Sequence, residues 1–333
     1  MDAAPIDTAA LPVDTAERDA AVASRRLDLT QIDADTWLLG LDVDSRVVPY
    51  SIAYLLRDAE GALHVIDPGT ESEANWALLT AAIERVAGPR AVVRTIVATH
   101  LHRDHLGLAE RLRGATGAAF LLHRVEQDAL RGLGGRIDEA VLEAWGVPPE
   151  RRDELNSHAV ARGRHRDLVA DRLLEDEDVV EMPGRALRII ATPGHTRGHV
   201  CLRDEAARLF FTGDHLLPLV NPGVGLGGLG AENPLAQYLA SLRRVEAFDG
   251  DIACPGHGYR FKGVRVRAGE IAAHHSRRTD EVATIRSSIP SATVWEVAKA
   301  VSWTAGWEAL RGGLLTSALR QVAMHIRLLD ERT

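Results

Sequence analysis

The sequence predicts a layered α/β domain with a small all-helical piece behind it, on three observations. Apolar, β-leaning runs alternate with helical patterns in two successive sets. From about Val264 onward the strand signals stop and helical periodicity continues to the end. With 333 residues, 46% of them hydrophobic and 26% charged, the chain can bury a substantial core and lacks the composition of a disordered protein.

Residues 1–30 read as a loosely ordered N-terminal arm with one short helix and no chemistry. Strands are expected at Thr36–Leu41, Tyr50–Leu56 and Leu63–Ile66, the last ending in the turn residues Asp67-Pro68-Gly69. Trp76, Leu78, Leu79, Ala82, Ile83 and Val86 fall at helical spacing, and Gly88-Pro89 stops that pattern. The β-branched run Val92–Ala98 reads as a strand. A helix over about His105–Arg113, a strand at Ala118–Leu122 and a helix from about Val125 follow.

Residues 132–178 break the rhythm with amphipathic stretches (Ile137–Trp145, Glu150–Val160) and little strand potential, the pattern of a helical lid inserted beside a site. Strands return at Ala186–Ala191, Val200–Arg203 and Arg208–Thr212. The main domain is therefore expected over 31–263 and the helical appendage over 264–333. In the appendage, Thr293 and Glu296 form a capping box before Val294–Val301, and Leu314–Leu329 is a further apolar-faced helix.

Net charge is −8, which disfavours broad phosphate contacts and makes nucleic acid an improbable partner. The two cysteines, Cys201 and Cys254, sit in apolar runs and read as core; no disulfide framework can be built from them. The N-terminal residues lack the basic start and unbroken apolar stretch of a secretory signal, and no segment has the length and apolarity of a membrane span. A cytoplasmic protein is expected, with a homodimer as the assembly left open. The Gly-rich run Gly223–Gly230 contains a formal G-x-G-x-x-G, but no strand precedes it and no helix opens within it, so it reads as a mobile loop and not a dinucleotide site.

The chemistry concentrates in Thr99-His100-Leu101-His102-Arg103-Asp104-His105. His100 and His102, two apart at a strand's end, project to the same side, and Asp104 and His105 lie on the turn that opens the next helix. Imidazole and carboxylate are natural ligands for zinc. Further ligand types follow at the ends of later strands: His195 and His199 in Thr192-Pro-Gly-His-Thr-Arg-Gly-His199, Asp214 in Phe210-Phe-Thr-Gly-Asp214, and His257 in Cys254-Pro-Gly-His257. Strand ends shaped by Gly and Pro loops are where α/β folds assemble sites from distant sequence.

The combined pattern, H-x-H-x-D-H followed by His, Asp and His, resembles the metallo-β-lactamase superfamily over about residues 34–260. The resemblance implies an αββα sandwich and two metal ions, zinc first and manganese or iron(II) as alternatives. It assigns His100, His102 and His195 to one ion, and Asp104, His105 and His257 to the other, with Asp214 bridging. Asp67 matches a carboxylate that orients a ligand histidine from behind; its other reading is a simple turn residue. Such a pair, roughly 3.5–4 Å apart, shares a water that attacks as hydroxide, so Asp104 and Asp214 are catalytic as well as ligating and no serine or cysteine nucleophile is needed.

The aspartate at position 214 resembles the glyoxalase II-like hydrolases more than the true β-lactamases. The helical end resembles the winged-helix-like tail of the β-lactamase-like protein 2 branch, although no β-wing is evident. The expected function is hydrolysis of an acyl thioester, ester or lactone, small or carrier-bound. The alternatives are a phosphodiesterase or ribonuclease, for which Arg162, Arg164 and Arg166 would supply cations, and a metal-binding regulator without useful turnover.

Tyr238 reads either as a group reaching the substrate oxygen or as an aromatic packing its helix. His199 and His215 read as packing or supporting residues, and His123, His158 and His165 as surface or lid histidines. Ile137, Val141, Leu142, Trp145 and Leu155 are expected to give the lid an apolar face for the acyl group.

Overall fold

Strands that are apolar along nearly their whole length must be covered on both faces. The computed structural model meets that demand with two sheets packed face to face and helices outside; it describes residues 10–45, 48–132, 137–156, 167–227 and 231–331. The described chain opens with β1 (Leu11–Pro12) and α1 (Thr15–Val22). The next seven strands form one sheet in sequence order: β2 (Thr30–Asp33), β3 (Thr36–Asp42), β4 (Tyr50–Arg57), β5 (Leu63–Ile66), β6 (Val93–Val97), β7 (Ala119–His123) and β8 (Arg172–Leu174). Between them lie α2 (Glu73–Ala87), α3 (Arg103–Leu106), α4 (Ala109–Thr116), α5 (Arg124–Gly132), α6 (Glu139–Ala144) and α7 (Pro149–Asn156).

The second sheet uses β9 (Val179–Met182), β10 (Arg185–Ala191), β11 (Val200–Asp204), β12 (Leu209–Gly213), β13 (Ile252–Pro255) and β14 (Phe261–Lys262). Its spatial order is β1-β14-β13-β12-β11-β10-β9. Helices α8 (Pro234–Val245), α9 (Val264–Ser288), α10 (Val294–Ala300) and α11 (Gly312–Asp330) complete the described chain, and none is long and apolar enough to cross a membrane.

Strand alternation decides which side chains meet. Tyr50, Ile52, Tyr54 and Leu56 of β4 point between the sheets and join Ile189, Cys201 and Phe211, whereas Ala53 and Leu55 face the helices outside. The Tyr54 hydroxyl donates to the Pro255 carbonyl at 2.9 Å, and its ring meets Phe211 edge-on at 5.0 Å. These contacts join the two sheets at the end where β13 hands the chain to His257.

Four expectations need correction. The arm is docked from Ala10 onward: β1 pairs with β14, Asp14 caps α1, and buried Glu17 accepts from Arg260 Nε at 3.0 Å. A two-residue strand carries too little pattern to be read from sequence. The inserted 132–178 stretch holds β8, which pairs in parallel with β7 and closes the sheet edge. The helix expected over His105–Arg113 breaks into α3 and α4, because Leu108 N–H turns aside to donate to the Gly69 carbonyl at 2.9 Å.

The fourth correction concerns the lid. Ile137, Leu142, Val147 and Leu155 pack with Val282, Val297, Leu315 and Leu319 in a third core, and Val141 and Trp145 pack against it. The apolar face of α6 and α7 is therefore committed to the C-terminal helices and not offered to a ligand. Arg162, Arg164, Arg166, His158 and His165 lie outside the described residues.

Leu142 is fully buried, and Leu142→Ala is expected to cost about 2–5 kcal/mol, read as a lowered melting temperature. Trp145→Ala should behave alike, lowering Tm and leaving KM unchanged. A raised KM at unchanged Tm would return Trp145 to the substrate side.

Candidate metal centre

Every ligand-type residue singled out in the sequence lands at one end of the sandwich. Two donor groups form there: His100, His102, His195 and Asp214 in one, Asp104, His105 and His257 in the other, with the donor atoms of each within 4.8 Å of one another. His100 Nε2 and His195 Nε2 lie 2.9 and 3.1 Å from His102 Nδ1. His105 Nε2 and His257 Nε2 are 3.3 Å apart, and Asp104 Oδ2 is 3.4 Å from His257 Nε2.

Asp214 stands between the groups. Its Oδ2 lies 3.5 Å from His195 Nε2 and 3.9 Å from His100 Nε2. Its Oδ1 lies 3.4 Å from His105 Nε2 and 3.3 Å from His257 Nε2, buried and without a hydrogen bond of ordinary geometry. Gly256 makes this approach possible, since a Cβ there would sit 2.6 Å from His105 Cε1 and 2.7 Å from Asp214 Oδ1.

The ring orientations are fixed from behind. His195 Nδ1–H donates to the Gly223 carbonyl and His257 Nδ1–H to the Tyr50 carbonyl, both at 2.6 Å. A carbonyl can only accept, so each ring must carry a proton on Nδ1 and turn its Nε2 toward the site. Asp67 Oδ2 accepts from His105 Nδ1 at 2.8 Å and from the Thr99 hydroxyl at 2.8 Å, and Oδ1 accepts from Thr99 N–H at 2.7 Å. With its hydroxyl proton spent on Asp67, Thr99 Oγ1 is left to accept from His100 Nδ1 at 3.0 Å. Asp67 itself adopts a left-handed backbone, φ 52°, at the strand-end turn.

The donor set fits a cation. Three imidazole lone pairs converging at about 3 Å repel one another, and a tetrahedral zinc with bonds of about 2.0–2.1 Å spaces its nitrogens at about 3.3 Å. Burial, then repulsion from neighbouring imidazoles, holds His100 well below the ordinary histidine range and His102 down at about 3. At the other group burial is outweighed by Asp214 and the neighbouring carboxylates, which push His105 up to about 9 and His257 well above its usual value. Positive charge is favoured there, as a bound cation would supply it.

Among the remaining candidates, His199 Nε2 accepts from Asp214 N–H at 3.1 Å and so fixes that backbone. The His215 ring is fully buried against Tyr238 at 5.2 Å. Tyr238 is also fully buried and its hydroxyl donates to the His215 carbonyl at 2.8 Å. That occupies it as a packing group and removes it as a substrate contact. His123 closes β7 and is buried, not at the surface.

The described part of the Gly-rich run is also corrected. Gly225 and Leu226 N–H donate to the Gly194 and His195 carbonyls at 2.8 Å, so the loop is packed as a support for His195. Thr99, the Gly223 carbonyl and the Tyr50 carbonyl were not anticipated from the sequence. Only the Thr99 hydroxyl, adjacent to His100, left any signal.

The metallo-beta-lactamase superfamily model matches residues 48–257, more than half of the chain. The chain belongs to that superfamily. Among its members, the acyl-coenzyme A thioesterase MBLAC2 of Gallus gallus is 29% identical over 194 residues, covering 54% of this chain and 61% of that protein. This chain thus spans less than two thirds of that relative. The beta-lactamase-like protein 2 homolog of Caenorhabditis elegans is 26% identical over 276 residues, covering 83% of this chain and 78% of that protein. A crystal structure of a beta-lactamase domain protein from Burkholderia ambifaria shares the metallo-β-lactamase fold, with TM-score 0.78 and 24% identity, covering 92% of this chain and 89% of that one.

Asp67→Asn keeps the shape of the side chain and removes the charge behind His105. It is expected to weaken metal binding roughly 10–100-fold, measured by competition with a chromophoric chelator. Unchanged affinity would reduce Asp67 to a turn residue.

Proposed function

We propose that this chain is a dinuclear zinc-dependent hydrolase of acyl thioesters, with esters and lactones as related substrates. The observation that carries the reading is Asp214, one carboxylate oxygen facing each donor group. His100, His102 and His195 would hold one ion and Asp104, His105 and His257 the other. When bound, such a pair lowers the pKa of a shared water and polarises the scissile carbonyl.

The protein's own part is orientation. Nδ1 anchors keep four rings from swinging, and buried Asp214 keeps the two groups in register. Asp104 has the most exposed carboxylate of the ligand set, its side chain 23% accessible against 10% for Asp214. It is therefore the one that faces the substrate side and can orient the attacking water. Thiol catalysis finds no support, since burial pushes Cys201 up to about 12 and Cys254 higher still. The thioester preference draws on the name of the Gallus gallus relative, a thioesterase of acyl-coenzyme A.

Elemental analysis is expected to find close to two zinc-type ions per chain. Thiol release from an acyl-coenzyme A should vanish with chelator, return with zinc, and survive the Cys201→Ala, Cys254→Ala double variant. It should also fall on acidification, where protons compete with metal for histidine, beginning at His105 and His257, whose protonation the neighbouring carboxylates favour. A protein that binds no transition metal even from added zinc refutes the site. One that cleaves RNA and ignores acyl substrates refutes the substrate class.

A further inference from the structure

Glu126 is fully buried in the first turn of α5, a position where an acidic side chain usually faces water. Its two oxygens do different work. Oε2 accepts from Leu101 N–H at 2.7 Å, and Leu101 lies between His100 and His102. Oε1 accepts from Gly198 N–H at 2.5 Å, in the loop that carries His195. The two loops are 93 residues apart in sequence where His102 and His195 meet, and this one carboxylate ties both.

The close fit has a second signature. A Cβ on Gly198 would lie 2.8 Å from Glu126 N and 2.9 Å from Val125 Cβ, so the His195 loop rests directly on the start of α5. Only a carboxylate can accept at both ends; an amide would set an NH2 against one of the two N–H groups. Burying a carboxylate is costly, and here burial pushes it up to about 7 against the pull of the Gly198 and Leu101 donors.

We propose that Glu126 is a positioning residue that sets the spacing of His100, His102 and His195, and thereby the affinity of one of the two ions. This rests on the two-ion reading above. Of the other ion's ligands, His105 is anchored by Asp67 and His257 by the Tyr50 carbonyl, and neither ring bonds to Glu126.

Gln127 provides the control. It is equally buried in the same turn, and its amide ties Leu168 O and Ala170 N, away from the ligands. Glu126→Gln, Gln127→Ala and the unaltered protein are titrated with zinc against a chromophoric chelator, with thermal melting recorded in parallel. The unaltered protein should bind two ions. Glu126→Gln should bind one of them roughly 10–100-fold more weakly, so that at limiting zinc it holds about one. Gln127→Ala should lower Tm and leave both affinities unchanged.

Should Glu126→Gln melt earlier but bind both ions as before, or should Gln127→Ala weaken zinc equally, the assignment of Glu126 is overturned. If the unaltered protein binds fewer than two ions, the two-ion reading fails first and takes this inference with it. Should Glu126→Gln not fold, Glu126→Asp shortens the side chain and keeps the charge; unchanged zinc affinity there overturns the assignment as well.

Discussion

Everything at the metal centre depends on holding like groups together against their mutual repulsion. His102 Nδ1 has two other imidazole nitrogens within 3.1 Å. Left to relax, flexible side chains would rotate such atoms apart. They stay because four of the five rings, those of His100, His105, His195 and His257, are anchored on the far side to a backbone carbonyl or through Asp67 and Thr99. The fold's task is therefore rigidity at strand ends. Two sheets with three apolar cores offset the cost of a centre that is itself destabilising.

The centre was legible in the sequence where chemistry is carried by residue type and spacing. His100, His102, Asp104 and His105 in one short window, then His195, Asp214 and His257 at strand ends, could be named before any coordinates, and the structure gathers all of them. The sandwich strands were legible for a related reason, since apolar runs bounded by Gly and Pro turns mark them. Trp145 and the inserted helices misled, because an amphipathic face declares that it is buried but not against what. Its partner, the C-terminal helical core, lies more than a hundred residues away in the chain.

What stayed hidden shares a single cause. The acceptors behind His195 and His257 are the carbonyls of Gly223 and Tyr50, and every residue has a carbonyl. Their use is decided by tertiary approach alone. Glu126 looks like any acidic residue in the first turn of a helix, where the macrodipole favours negative charge. Only its burial and its two acceptor bonds set it apart. The Gly-rich run misled in the opposite sense: its glycines suggested mobility, whereas Gly225 and Leu226 are needed to lie flat against the His195 loop.

The C-terminal helices bring no donor atom to the metal centre, yet they bear on it through a short physical chain. Arg267 of α9 is almost wholly buried, and its guanidinium donates to the Leu217 and Val220 carbonyls at 2.8 Å and to Asn221 Oδ1 at 3.1 Å. Those acceptors lie on the loop that leaves Asp214 and leads to Gly223, whose carbonyl orients His195. From the other side, Asn233 caps α8 and donates to the Met324 carbonyl of α11 at 3.0 Å. A planar guanidinium can hold several divergent carbonyls in one geometry, which a lysine's single ammonium cannot. The first half of α9 also packs into the core built on the second sheet through Val264, Ala268 and Ile271, while Val282 lies in the third core. One continuous helix thus joins the packing of the helical region to the loop behind His195 through Arg267.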